Sequence, residues 1–242
     1  MNLLKKRKPL VEMWTTVEGL TEIPECLPKP ANKFIPDWLK KMKSSFDSPK
    51  DVGTIKNCPV VPEYLTQGYI IPMWCDSILR VDEDANCEWE TSSPEFSWSI
   101  HANQQFIDHL PKTEKQYVVF KANCPWHIRT TKGYSCYQNP LFYHFNRDYE
   151  LIPGSISTDI HCQINQQILV ERNTEVFIPR GTPFAWYIPY KREEYDFECT
   201  EMDEEKLRIS RKNDLTFSTK FRGSYNIMSK ESKCPFSKFL NI

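Results

Sequence analysis

The stretch Gly154–Arg192, GSISTDIHCQINQQILVERNTEVFIPRGTPFAWYIPYKR, decides the class of fold. Ile160, Cys162 and Ile164 alternate with polar residues, and after one slip Ile168 and Val170 continue the alternation. Period two marks a strand with one buried face, and a slip within it is what a β-bulge produces. Val176-Phe177-Ile178 and Phe184-Ala185-Trp186-Tyr187-Ile188 are short apolar runs, divided by a Pro-Arg-Gly-Thr-Pro turn and closed by Pro189. Short apolar runs between breakers read as buried strands. The class is therefore mainly β: a single β-barrel or β-sandwich, of β-clip or jelly-roll-like form, with a few short helices near the N-terminus and a C-terminal extension.

The rest of the chain agrees with this reading. Val11 to Val17 reads as a strand, and Ile23 to Pro36, with four prolines, as an extended irregular segment. Asp37 opens a short helix through Met42 as its N-cap, and Thr54 to Thr66 holds a second helical segment ended by Gly68. Strands follow at Tyr69–Trp74 and Asp76–Val81, and Cys87 to Trp98 reads as a hairpin. His101 to Leu110 is a connector. Strands resume at Tyr117–Phe120, at Trp126–Thr130 with a turn at Lys132-Gly133, and at Ser135–Phe145. With 18 Pro scattered among 242 residues, long helices are not expected.

Composition shifts at Lys191. Glu193, Glu194, Asp196, Glu198, Glu201, Asp203, Glu204 and Glu205 form an acidic run, a helix is expected within Glu201–Arg211, and the end of the chain is basic. The expected division is a β domain over residues 1–192 and an extension over 193–242 packed on it.

The bulk numbers exclude several functions. With 31 Lys+Arg against 32 Asp+Glu, net charge −1, nothing electrostatic draws the whole chain to nucleic acid or membrane. Lys5 to Lys8 read as a solvated terminal arm. No apolar run has the length of a membrane span, and the N-terminus lacks the pattern of a secretory leader. Only 7 Gly are present and no nucleotide-cradling glycine motif occurs. The nine Cys have no CxxC spacing, so reduced thiols are expected rather than a disulfide framework.

No catalytic or metal constellation stands out. An oxygenase facial triad needs His-x-Asp/Glu on one strand, and none of His101, His109, His127, His144 or His161 supplies it; Asp108-His109 would face opposite ways. Cys124-Pro125-Trp126-His127 sets a thiol near an imidazole only in sequence, and no GxSxG elbow exists. Arg129, Lys132 and Arg180, with Asp76 and Asp159, are the charged residues that could meet at one edge of the β domain. They form either a solvated rim or a phosphate-binding rim.

IPDWLKKM at 35–42, TIKNCPVVPEYLTQGYIIPMWCDSILRVD at 54–82, IRTTKGYSCYQNPL at 128–141, GSISTDIHCQI and VFIPRGTPFAWYIPYKREEY together resemble a family of uncharacterised proteins encoded by tailed phages of marine bacteria. The resemblance implies a viral origin and synthesis in the host cytoplasm. Within it, GYIIPMWCDSIL, IRTTKGYS, GSISTDI and VFIPRGTPFAWYIP follow the order of four motifs of the trimeric dUTPase and dCTP deaminase superfamily. In that superfamily a Gly-x-x-Asp turn supplies the acid that orients the attacking water. Here Ser157 stands in its place, Trp186 replaces an expected Gln, and the Gly-rich phosphate arm is missing. A hydroxyl cannot act as a carboxylate base at neutral pH.

Two main functions are expected from these readings. The first is a non-enzymatic viral β protein without cofactor, acting through its surface with other subunits as a virion component. The second is a nucleotide-binding homo-oligomer, a pyrophosphatase or a sequestering factor, with Arg129, Lys132 and Arg180 on phosphates and magnesium or water at Asp76 or Asp159. An oxygenase on a double-stranded β-helix is a third.

Overall fold

The structure is a computed structural model that describes residues 10–45, 53–101, 105, 117–219 and 223–231. Several expected features lie outside the described residues: the Lys5–Lys8 arm, Asp108-His109 and most of the connector around them, Cys234, and the tail lysines 233 and 238. The chain divides into two compact units, Met1–Phe34 with Gly68–Glu193, and Ile35–Gln67 with Glu194–Ile242.

The first unit is antiparallel β. Its strands are β1 (Val11–Thr15), β2 (Lys29–Pro30), β3 (Tyr69–Pro72), β4 (Ser77–Val81), β5 (Cys87–Thr91), β6 (Trp98–Ile100), β7 (Tyr117–Ala122), β8 (Trp126–Thr130), β9 (Tyr134–Asn139), β10 (Glu150–Leu151), β11 (Gly154–Ile156), β12 (Gln166–Glu171), β13 (Thr174–Ile178) and β14 (Pro183–Lys191). They form four ladders, ordered β1-β8, β10-β12-β7-β6, β11-β9-β14-β3-β2 and β13-β4-β5. Among the described residues no ladder closes on itself, so the architecture is that of open, sandwich-like sheets rather than a barrel.

Burial follows the pleat. In β12 Gln166, Ile168 and Val170 are buried while Gln167, Leu169 and Glu171 are not. In β4 Ser77, Leu79 and Val81 point inward. The apolar members of these strands join Val118, Phe120, Val176, Ile178, Phe184 and Tyr187 in one core. Trp98 meets Phe120 and Phe184 edge-on, at centroid distances of 6.3 and 6.1 Å, a preferred geometry for aromatic quadrupoles.

One polar chain crosses this core. Gln166 Nε2 donates to the Tyr187 hydroxyl at 2.8 Å, and that hydroxyl donates to Gln138 Oε1 at 2.7 Å. Gln138 Nε2 then donates to the Ile152 carbonyl at 3.0 Å. The chain links β12 of one sheet to β14 and β9 of another. Gln166 Oε1 has no donor at hydrogen-bonding geometry. The thiol of Cys124, pushed up to about 12 by burial and therefore neutral, is its polar neighbour.

Gly68 is required by close approach. Its φ is +64°, and a Cβ there would stand 2.2 Å from the Tyr187 carbonyl oxygen. No side chain fits beside β14 at this point.

The second unit holds α1 (Asp37–Lys41), α2 (Val60–Leu65), α3 (Glu204–Thr219) and α4 (Ser224–Glu231). Asp37 lies in the first turn of α1, beside Lys40 at 3.0 Å, while Pro36 takes the cap position. Phe217 and Tyr225 bring α3 and α4 together at 6.2 Å between rings. Residues 35–67 thus group with 194–242.

Three expectations are corrected. The slip between Ile164 and Ile168 is not a bulge, because no strand runs through it: Gln163 makes only an isolated bridge to His127, and upstream the Ile160 and His161 N–H groups both donate to the Ser157 carbonyl at 2.9 Å in a turn. Ile160 is 79% exposed, and the strand starts at Gln166. The segment Cys87–Trp98 does not fold on itself, because β5 pairs with β4 and β6 with β7. One helix is long: α3 has 16 residues, because no proline lies between Pro189 and Pro235. None of the helices in the described residues is long and apolar enough to cross a membrane.

Candidate functional site

The five charged residues singled out in the sequence occupy two places. Arg129, Lys132 and Asp159 gather where the β8–β9 hairpin meets the turn after β11. Backbone geometry brings them there. Gly133, at φ +85°, lets the hairpin reverse, and the Thr130 and Thr158 hydroxyls meet at 2.7 Å inside.

Asp159 is fully engaged. Arg192 Nη1 and Nη2 donate to its two oxygens at 2.8 and 2.5 Å, and the Gly133 N–H donates to Oδ2 at 2.8 Å. This fork-on-fork pairing holds the carboxyl down to about 2, the Arg192 hydrogen bonds being the main cause and the Gly133 N–H the next. Arg192 Nη1 also reaches Ser135 Oγ at 2.9 Å, and its backbone N–H donates to the Gly133 carbonyl at 2.8 Å. A carboxylate held this way does not accept a proton near neutral pH. Ser157, two residues earlier, is exposed.

Two cations lie on the adjoining hairpin, and Arg129 is hydrogen-bonded to the Cys162 side chain. Arg129 lies over the Trp14 ring, 5.3 Å from its centroid, and Trp14 stacks on His127 at 5.5 Å. Arg129 and Lys132 are both exposed. Beside them an aromatic strip crosses the outer face of the sheet: Tyr137 and Tyr190 stack at 4.1 Å, and the Tyr190 hydroxyl lies 2.7 Å from Ser155 Oγ.

Asp76 and Arg180 form the second place. Asp76 Oδ1 accepts the backbone N–H of Arg180 at 2.8 Å, and the Arg180 guanidinium lies 3.3 Å from Glu25. The Met73 carbonyl accepts the Gly181 N–H at 2.7 Å, and the Met73 N–H donates to the Thr182 carbonyl at 2.7 Å. Asp76 therefore clasps the β13–β14 turn. This clasp sits at the Pro183 end of β14 and the Asp159 knot at its Lys191 end. Eight steps of about 3.3 Å put them about 26 Å apart. Within one chain the five residues do not make one site.

Sequence reasoning missed Arg192 and Glu25, the partners that decide what Asp159 and Arg180 can do. Arg192 is 33 positions from Asp159, and no spacing rule joins them.

The eight described cysteines are free thiols. Cys26, Cys75, Cys124 and Cys136 are buried, and burial raises each thiol above its ordinary range. Among the described residues no group of three or more His, Cys, Asp and Glu is placed to hold a metal ion. Both Asp159 oxygens are already hydrogen-bonded, Oδ1 once and Oδ2 twice.

No protein-family description matches the chain, and no curated protein does. Solved structures do. The chain is similar to a point variant of the dUTPase from phage phi11 of S. aureus, with 9% identity over 81% of this chain and 99% of that one, at a TM-score of 0.36. It is similar to a point variant of the Staphylococcus bacteriophage 80alpha dUTPase with dUpNHpp, with 8% identity over 81% and 98%, at a TM-score of 0.36. An overlap this loose carries no argument about chemistry.

Proposed function

We propose that this chain is a phage-encoded nucleotide-binding protein of dUTPase-like descent that binds its ligand without hydrolysing it. The observation that carries the reading is the Asp159 knot. The turn that resembles the acid-bearing motif has Ser157 in the acid's place. Its remaining carboxylate is closed off by Arg192 and Gly133. Arg129 and Lys132 stay exposed on the adjoining hairpin. Cations without a free base favour phosphate binding over water activation.

The separation of about 26 Å along β14 gives the homo-oligomer a role. Arg180 and Asp76 of one subunit can meet Arg129 and Lys132 of another only across an interface. Magnesium would arrive with the phosphates, which commonly complete its oxygen shell beside one or two carboxylates. A virion component would use the same exposed aromatics, so the cationic rim is what separates the two readings.

Isothermal titration of the purified protein with dUTP, dCTP and dTTP, with and without magnesium, tests the proposal. The expected result is saturable binding with no pyrophosphate released, weakened at least tenfold in the Arg129→Ala/Lys132→Ala double variant. No heat from any nucleotide at millimolar concentration, or turnover of one of them, would overturn it.

A further inference from the structure

We propose that a second site, a cleft of about 470 Å³ beneath the loop Pro140–Tyr149, binds an organic cation: an amine or guanidine carried on an aliphatic chain. The cleft lies within the β unit, between that loop and residues of β7, β10, β12 and β14. Its volume falls in the range of small-molecule sites, about 300–1,000 Å³.

The lining sets the ligand class. Asp148, Glu150 and Glu171 line it together with Arg147 and His144, and Glu171 accepts from the Tyr117 hydroxyl at 3.2 Å. That balance repels a phosphate and attracts a cation. The other contribution is aromatic. Phe142 is 67% exposed and Phe145 53% exposed, far above the usual burial of phenylalanine. They are held in a set with Tyr143, at centroid distances of 5.3, 6.0 and 6.5 Å. Ring faces carry the negative end of the aromatic quadrupole, and a desolvated cation over them gains attraction that an anion does not.

The backbone points to function as well. Phe145 sits at φ +52° in the left-handed region, a costly conformation for a bulky non-glycine residue. The Phe145 N–H donates to the Phe142 carbonyl at 3.1 Å and fixes the turn. Below, Tyr149 is packed against Phe184 at 5.6 Å. Burial raises its phenol well above the ordinary value, so the hydroxyl stays neutral and adds no charge to the floor. The site is thus a preformed aromatic mouth over an acidic wall.

Titration calorimetry of the full chain with agmatine and with spermidine tests this site. Saturable one-to-one binding is expected, weakened at least tenfold by Phe142→Ala and by Asp148→Asn/Glu150→Gln, and tightened by Arg147→Ala. Thermal unfolding of each variant checks the fold, which an exposed phenylalanine should not perturb. No heat with either amine would overturn the proposal. So would binding that survives both sets of substitutions, since the ligand would then sit on other acidic surface such as residues 193–205. Nucleotide binding at Arg129 and Lys132, near the Lys191 end of β14, is read separately and stands or falls without it.

Discussion

Replacing Tyr187 with Phe should destabilise the protein by about 3 kcal/mol. The ring remains and no cavity opens, so the loss comes from the hydroxyl alone. That hydroxyl accepts from Gln166 at 2.8 Å and donates to Gln138 at 2.7 Å. Both amides are sealed, Gln166 at 0% and Gln138 at 3% exposure. Tyr187→Phe strands one buried donor and one buried acceptor, each costing about 1–3 kcal/mol. Gln138 Nε2 keeps its bond to the Ile152 carbonyl at 3.0 Å, so only Gln138 Oε1 and Gln166 Nε2 are stranded and the sum is at least about 2 kcal/mol. Net stabilities are only about 5–15 kcal/mol, so the effect is large. For a chain of this size it lowers Tm by about 6–12 °C. Thermal and urea unfolding followed by tryptophan fluorescence measures it. Tyr187→Phe combined with Gln138→Leu and Gln166→Leu should recover part of the loss, because it removes the stranded amides and leaves only the Ile152 carbonyl without its donor. A single variant that melts within about 2 °C of the parent would refute the claim that this chain of hydrogen bonds supports the core.

Gly68→Ala should prevent stable folding, since its Cβ would stand 2.2 Å from a backbone carbonyl, whereas Gly133→Ala meets nothing within 4 Å and costs only the left-handed dihedral, about 1–2 kcal/mol; soluble yield and Tm of the pair separate the two terms. Asp159 is depressed to about 2 when folded against about 3.9 unfolded. Its contribution is therefore present above about pH 4 and lost as pH falls toward about 2; Asp159→Asn should flatten that acid limb in unfolding midpoints, and an unchanged limb would rule Asp159 out as its source. Thiol labelling of the native protein, mapped by mass spectrometry, should modify exposed Cys199 before buried Cys26, Cys75, Cys124 and Cys136; early labelling of Cys136 would contradict the packing of β9.

Strand positions were legible because each strand carries its own pattern. In Gln166–Glu171 the alternation of buried and half-buried residues is complete, and no tertiary information is needed to read it. Ile160 misled for a related reason. It sits in phase with Cys162 and Ile164, yet the hydrogen bonds to the Ser157 carbonyl bend the chain there and leave Ile160 79% exposed. Periodicity reports which face a residue would take in a strand, not whether the strand is formed. The candidate site was legible residue by residue but not as a group. Asp76, Arg129, Lys132, Asp159 and Arg180 are charged turn residues, and any of them could serve a ligand.

By itself the sequence determined the class of fold and the positions of most strands, because these depend on neighbours along the chain. Only tertiary structure decided which charges meet. Arg192 closes on Asp159 across 33 residues, and the length of β14, about 26 Å, separates the Arg180 clasp from that knot. Electrostatic partners are set by distance in space, which falls off steeply in effect and leaves no periodic trace along the chain.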